Sequence, residues 1–502
     1  MLRGAPFEDP AYLPSRLPSS YNPMHTFELP KGADKHYRQQ FADMYFLRLA
    51  QLKEAVRQKA QDAWSDFKLG NEQARFVDRV LDVRQGELCW VIGTVYIEMG
   101  LKPNILDDIA KEHWIAAPPS RATYKSTNDA MMLEDESGRL RLTGAITNSS
   151  TNDDSYSYVT GCVLAALGTE QADGAFHVLA TQWADLPRQP QRWERDDSAL
   201  AMAKKPVPQR KSEKRKGESG KLAIVSGLEI TGTEDDDVPL DLFIEYLTCE
   251  SGGPPDQTPR TKFSRLLIAG NSLSHSSPIL SREDFAAARK AGKQKHYGYD
   301  SSAYNASPSE RLDDFLAQIL PTVPVTLLPG ASDPANVALP QQPLHPALFP
   351  KSRHYANPPA SSNETREGLD SVTNPWEGDI EGWRVVGSGG QNVDDLMKYV
   401  SLGSVGALDV MEFMLRWRCI APTAPDTLWC YPFQDDDPLI VKDCPHIYIV
   451  GNQAEFAKRV ITGPAGQRVL LIAVPRFSQT RQVVVLDLES LEVEKVAFDV
   501  RG

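Results

Sequence analysis

A chain of 502 residues is too long for one hydrophobic core and points to about two to four domains. Its 41% hydrophobic and 24% charged residues are ordinary for a globular protein, and no apolar run approaches the ~20 residues that span a bilayer. A net charge of −13 argues against a protein that grips DNA unaided, because phosphate neutralisation needs a basic surface; protein partners, or a DNA contact confined to a patch, fit better.

Residues 1–32 read as an extended, Pro-punctuated arm. It lacks the apolar core of a signal peptide, so the chain is expected to stay in the cytosol or nucleus. A helical segment occupies 33–80, with a helix expected over 33–67. Its apolar residues Phe41, Tyr45, Leu49, Leu52, Val56, Ala60, Ala63 and Phe67 recur at spacings of 3 and 4, one stripe that suits packing on its own protein better than a partner. From Gly86 the period becomes that of strands, and 89–97 is β-branched and aromatic. A short helix near 105–109 precedes two hairpin signals: 131–134 with 140–142 around Ser137-Gly138, and 158–167 with 176–183 around Ala172-Asp173-Gly174. Short strands, glycines at bends and one helix across 81–186 suit a small Greek-key barrel such as an OB-fold, and a small β-sandwich reads similarly. Cys89, Cys162, Cys249, Cys419, Cys430 and Cys444 form no C-x-x-C pair, which leaves free thiols buried as small hydrophobes.

Residues 187–220 read as a basic linker with Pro187, Pro190, Pro206 and Pro208. The run from Lys204 to Lys216 reads equally as a bipartite nuclear-import signal or as a solvated loop. The acidic run Glu234-Asp235-Asp236-Asp237 suits a solvated loop better than a metal site. Over 221–502 the pattern is α/β: buried-strand runs at 222–225, 266–269, 323–328 and 447–450, helices at 311–319 and 393–399, and a meander-like close through 469–474, 483–488 and 491–498. Ser307-Pro308-Ser309 and 357–363 read as surface excursions.

Strand ends in this second half carry glycine-bearing motifs: Ser226-Gly227-Leu228-Glu229, Gly270-Asn271, Pro329-Gly330-Ala331-Ser332-Asp333, Gly387-Ser388-Gly389-Gly390 and Gly451-Asn452-Gln453-Ala454. Their order resembles the calcineurin-like metallophosphoesterases, an α/β sandwich whose five strand-end loops hold two metal ions. Those ions, ~3.5–4 Å apart, clamp the attacking and leaving oxygens of a phosphoester and need a bridging carboxylate and several imidazoles. In the register the resemblance implies, the ligand positions fall on Gly227, Glu229, Asn271, Ala331, Ser332, Gly389, Asn452 and Ala454. Glycine and alanine offer no ligand, asparagine is a neutral substitute for a bridging carboxylate, and only Asp333 keeps its type. The resemblance therefore implies a degenerate phosphoesterase domain with no metal and no cofactor. His275, His345 and His446 lie elsewhere, the last two suited to structural roles. No G-x-x-x-x-G-K-[ST] loop or G-x-S-x-G elbow occurs.

Longer strings carry a second resemblance. They include 266–275, 327–333, 339–346, Thr373-Asn374-Pro375, Gly389-Gly390-Gln391-Asn392-Val393, 422–433 and Asp443-Cys444-Pro445-His446, with Gly93-Thr94 and Leu133-Glu134-Asp135-Glu136 in the barrel half. The chain is identified by them as a member of the B-subunit family of archaeal and eukaryotic replicative DNA polymerases, on its delta branch. The resemblance implies a multidomain α+β chain, an OB-fold barrel followed by an inactive calcineurin-like domain. It implies a nuclear scaffold in DNA replication and repair synthesis, bridging the cysteine-rich C-terminal domain of the catalytic subunit and a further accessory subunit, and meeting DNA only through the holoenzyme. Two readings compete. An active metal-dependent phosphoesterase or nuclease needs the ligands that are missing. A free single-strand DNA-binding OB protein needs aromatic platforms, for which Trp90, Tyr96, Phe176 and Trp183 are the candidates.

Overall fold

The computed structural model describes residues 16, 20–30, 40–103, 121–147, 158–194, 220–232, 238–250, 262–274, 306–356, 368–400 and 405–499. The expected short helix at 105–109, the basic run 204–216, the acidic run 234–237, His275 and the excursion at 357–363 lie outside the described residues.

The arm contributes a strand, β1 (Tyr21–Met24), and the predicted helix is α1 (Phe41–Trp64). Its core-facing row is Met44, Arg48, Leu52, Val56, Ala60 and Trp64, with Leu49 beside it. Phe41 and Ala63, expected on that stripe, face outward, because a 3.6-residue turn carries the ends of a long stripe off the contact line. A small ribbon, β2 (Lys68–Leu69) and β3 (Glu72–Gln73), leads to β4 (Arg75–Val77). Then come β5 (Leu88–Glu98), β6 (Ala130–Glu134), β7 (Arg139–Gly144), β8 (Val163–Glu170) and β9 (Phe176–Trp183). They run β5-β6-β7-β9-β8 and close by pairing β8 with β5; β7 and β9 are parallel, the other pairs antiparallel. This closed five-stranded Greek key decides for the OB-type barrel over the sandwich. Its last hairpin starts at Val163 and not at 158, because 158–162 form a turn. α1 packs on the outer face of β5 and β8, burying Leu52, Val56 and Trp64 against Trp90, Ile92 and Leu167.

The second half supplies β10 (Lys221–Val225), α2 (Val238–Thr248), β11 (Phe263–Ala269), α3 (Ser307–Ile319), β12 (Val325–Leu328), β13 (Leu369–Ser371), β14 (Trp376–Ile380) and β15 (Trp383–Ser388). After these come α4 (Gln391–Met397), α5 (Ala407–Arg416), β16 (Ile447–Gln453), β17 (Ala457–Thr462), β18 (Arg468–Pro475), α6 (Phe477–Thr480), β19 (Gln482–Asp487) and β20 (Val493–Ala497). Two six-stranded mixed sheets result, β13-β12-β11-β10-β19-β20 and β1-β14-β15-β16-β18-β17. Leu222, Ile224, Leu267, Val385, Ile449 and Ile472 fill the space between them. Helices α2 and α3 cover the outer face of the first sheet, and α4 and α5 that of the second. Burial on both faces explains the uninterrupted apolar strands.

Three expectations change. Ser307-Pro308-Ser309 is the first turn of α3 and not an excursion, with Pro308 where a missing N–H costs nothing. The closing strands are no meander: β17–β18 and β19–β20 are hairpins in opposite sheets, joined across by α6. The linker's first residues are held to the sandwich: the Gln189 amide donates to the Arg468 carbonyl at 2.8 Å and the Pro445 carbonyl at 3.0 Å, and the Arg188 carbonyl accepts from the Cys444 N–H at 2.8 Å.

Barrel and sandwich share one core cluster, in which Val91, Leu133 and Phe176 join Leu396, Met411 and Tyr448. Arg48 crosses the seam. Its Nε donates to Asp437 at 2.9 Å and its Nη1 to the carbonyls of Ala424 at 2.9 Å and Pro422 at 3.1 Å. The arm closes the far edge: β1 pairs with β14, the Tyr21 hydroxyl donates to Asp370 on β13, and the Arg265 guanidinium lies 3.6 Å over the Tyr21 ring.

Candidate functional site

Strands β10, β11, β12, β15 and β16 end at one rim of the sandwich, where their loops converge. The Gly227 N–H donates to the Gly270 carbonyl at 2.9 Å. A side chain at Gly270 would meet Gly330, Gly389 and Asn452 within about 3 Å, so four of the five loops touch at one point. The structure thus brings together Gly227, Glu229, Asn271, Ser332, Asp333, Gly389 and Asn452. Ala331 and Ala454 stand outside that group, exposed on the rim.

Each of the gathered residues is committed to its neighbours. Gly227 has φ +61°, and a Cβ there would lie 2.8 Å from Asn452 Oδ1 and 3.0 Å from the Arg476 backbone. Asn452 Nδ2 donates to the Gly389 carbonyl at 2.8 Å, while its Oδ1 is buried without a hydrogen-bond partner. Asn271 Oδ1 accepts from the Ser332 N–H at 3.2 Å, and Ser332 Oγ donates to the Leu273 carbonyl at 2.6 Å. Glu229 accepts from Ser478 Oγ at 2.7 Å. Asp333 accepts from the N–H groups of Gly330 at 2.7 Å, Leu273 at 2.9 Å and Ser272 at 3.2 Å. Burial pushes its pKa up, against the lowering effect of those N–H bonds. Glu229, Asn271 and Asn452 all adopt left-handed backbone, at φ +49°, +54° and +60°, which asparagine tolerates and glutamate resists. A backbone outlier of this kind is typical of loops shaped for chemistry.

The same loops hold residues to which the sequence assigned no role. Gln341, Asn374 and Gln391 form a ring of side-chain amides: Asn374 Nδ2 donates to Gln341 Oε1 at 2.8 Å and Gln391 Oε1 at 3.0 Å, and Gln391 Nε2 to Gln341 Oε1 at 2.9 Å. Asn374 Oδ1 then accepts from the Gly389 N–H at 2.9 Å. Arg476, at the end of β18, donates from Nε to the Asn452 carbonyl at 3.2 Å and places a cation beside the cluster. All three amides sit in strings that carry the family resemblance, the only sequence signal for them; Arg476 has none.

Among the described residues no three His, Cys, Asp or Glu side chains come close enough to hold a metal ion. Among the described carboxylates at the rim, Asp333 is held by backbone donors, Glu229 bonds a serine and Asp394 faces Arg476 and Gln453, a donor set that lacks the imidazoles of a two-metal centre. His345 caps a turn, accepting from the Ala347 N–H at 3.1 Å, and His446 accepts from the Arg384 N–H at 3.1 Å; neither belongs to the rim.

The barrel's aromatic candidates are also spoken for. Trp90 is packed between Trp64 and Phe76, and Phe176 is wholly buried. Trp183 is half-buried against the core. The Tyr96 ring carries Arg139 at 4.8 Å and Lys102 at 5.1 Å, cations that compete with a stacked base for it. Five of the six thiols are buried, and burial pushes Cys89 and Cys419 up to about 11 and Cys430 and Cys444 up to about 12. These four are not poised as nucleophiles.

Comparison with known proteins adds two family models. One, for the B subunits of DNA polymerases alpha and epsilon, matches residues 222–458, and one described as the DNA polymerase delta subunit OB-fold domain matches residues 40–181. The chain is 34% identical to the DNA polymerase delta small subunit of Arabidopsis thaliana over 96% of each chain. It is 32% identical to the DNA polymerase delta small subunit of Saccharomyces cerevisiae, covering 96% of this chain and 93% of that protein. It is also 32% identical to DNA polymerase delta subunit 2 of Drosophila melanogaster, over 97% and 99%.

Proposed function

This chain belongs to the DNA polymerase delta small-subunit family, and on that premise we propose that it serves the holoenzyme as a scaffold without phosphoesterase chemistry of its own. It is an accessory subunit of a hetero-oligomeric replicative polymerase. In the finer reading it bridges the cysteine-rich C-terminal domain of the catalytic subunit and a further accessory subunit, acts in the nucleus and meets DNA through its partners.

The observation that supports the inactive reading is the state of the rim. Its loops hold left-handed turns at Gly227, Asn271 and Asn452, and at the positions where the resemblance expects ligands Gly227 bonds Gly270, Asn271 bonds Ser332 and Asn452 bonds Gly389. A neutral amide ring and the Arg476 guanidinium occupy the surroundings. The shared core of barrel and sandwich supports the scaffold reading, since it makes the two domains one rigid platform.

The test is affinity purification of the tagged protein from nuclear extract, with mass spectrometry of what co-elutes. A B-family catalytic subunit recovered in comparable amount through moderate salt is the expected result; the chain recovered alone would refute the scaffold. In parallel, purified protein with manganese should not cleave a phosphodiester above blank. Turnover that disappears in Glu229→Gln would overturn the inactive reading.

A further inference from the structure

We propose that the exposed apolar face at Trp429 is the seat of this chain's own residues 104–120, which lie outside the described residues; the inference stands apart from the scaffold reading. Trp429 is 56% exposed, beside Leu428, which packs partly buried on the shared core. Leu339 and Cys430 pair in parallel, which brings alongside the segment that carries Val337, itself 79% exposed. An uncovered tryptophan costs apolar hydration, and contact with other apolar side chains recovers it.

Where the chain leaves and re-enters the barrel names the occupant. On the near side, Lys102 Nζ donates to Asp426 and to the Ile97 carbonyl, the latter at 3.2 Å. On the far side, the Tyr124 N–H donates to the Lys398 carbonyl at 2.7 Å, and its ring stands edge-on to Tyr399 at 5.7 Å. The Tyr399 hydroxyl in turn donates to Asp426 at 3.0 Å and lies 2.8 Å from Thr427 Oγ1. Both ends of 104–120 are therefore fastened to one stretch, Asp426-Thr427. Trp429 is at most about 7 Å of chain beyond it.

The composition fits the seat. Ile105, Leu106, Ile109, Trp114 and Ile115 stand among Asp107, Asp108, Lys111 and Glu112, and the first three share one face of the short helix expected there. The barrel interior offers them no room, because Val91, Leu133, Leu142 and Phe176 already fill it. A segment tethered at both ends beside Trp429 is present at an effective concentration on the order of millimolar, which a second copy in dilute solution does not match. Seated, it takes the Trp429 face out of reach, so a partner arriving there has to displace it.

The experiment uses the full-length chain and two readouts. Trp429 is replaced by the photo-crosslinker p-benzoylphenylalanine, and the irradiated protein is mapped by mass spectrometry; a bond to 104–120 of the same chain is the expected result. Trypsin is then timed at Lys111, the only Lys or Arg within 104–120. Trp429→Ala should speed that cut about tenfold, since cleavage follows the population of the unseated segment. Ile109→Asp should do likewise, and because it alters no described residue it serves as the variant that leaves the described core intact. Equal cutting rates in the wild type and Ile109→Asp overturn the proposal. So does a crosslink to another segment or to a second copy, or no crosslink at all. None of these outcomes bears on the co-purification test of the scaffold.

Discussion

The seam between barrel and sandwich turns on a buried charge, and its removal has a calculable cost. Arg48 and Asp437 have side chains only 4% and 0% exposed. Arg48 Nη2 also lies 2.9 Å from the Asp437 oxygen that Nε bonds, close enough for the charges though off the hydrogen-bond direction. Asp437 accepts in addition from the Leu439 N–H at 2.9 Å. Asp437→Ala leaves the guanidinium uncompensated and should cost about 3–5 kcal/mol. Arg48→Met leaves a buried carboxylate and strips the Ala424 and Pro422 carbonyls of their donor, again about 3–5 kcal/mol. The double variant buries no charge. It leaves only neutral backbone groups unpaired, at about 1–3 kcal/mol each, so its loss should fall about 1–3 kcal/mol short of the sum of the singles. Urea unfolding followed by tryptophan fluorescence measures the three losses, with calorimetry to establish a single transition in this multidomain chain. Additivity within about 0.5 kcal/mol would refute the argument, since it would mean that the two charges do not depend on each other.

Two further outcomes follow from the same geometry. Gly161 has φ +95°, and a Cβ there would lie 1.8 Å from the Pro422 carbonyl oxygen across the domain seam. Gly161→Ala should therefore cost about 2–5 kcal/mol, from backbone strain and overpacking together, and lower the melting temperature; an unchanged melting temperature would contradict the close approach. His446 has its pKa pushed below the ordinary 6.5 by burial first and by the Arg384 and Arg192 charges next. The unfolded chain then binds the proton that the folded chain refuses, so stability is full above 6.5 and declines as pH falls toward the lower folded value. Melting temperature should drop between about pH 7.5 and about pH 5.5 by more in the wild type than in His446→Gln, and equal drops would remove His446 from the account.

Elements with a local cause were legible before the fold was known. The runs at 222–225, 266–269 and 447–450 are strands because both faces of a covered sheet are apolar, and that leaves an uninterrupted signature. Ser137-Gly138 and Ala172-Asp173-Gly174 mark the barrel hairpins because a tight turn needs those residue types. The rim positions were legible because glycine and asparagine tolerate the left-handed turns observed at Gly227, Asn271 and Asn452. Where the cause was remote, pattern reading stopped short. By pattern Tyr21–Met24 reads as arm, since a four-residue segment with Pro23 becomes a strand only when β14 offers an edge. Helix α5 and strands β14, β15 and β17 went unassigned, as short elements whose burial depends on what packs against them.

By itself the sequence determined the periods, the turns and the residue types at the rim, because each is a property of one short stretch. Tertiary structure alone decided what the rim residues meet. Gln341, Asn374 and Gln391 come from three loops and meet only when β12, β14 and β15 are in register, and Arg48 joins an apolar helical stripe only because Asp437 waits across the seam. Such contacts depend on chain segments hundreds of residues apart being brought together by the burial of both sheets and the barrel, and no local propensity encodes that.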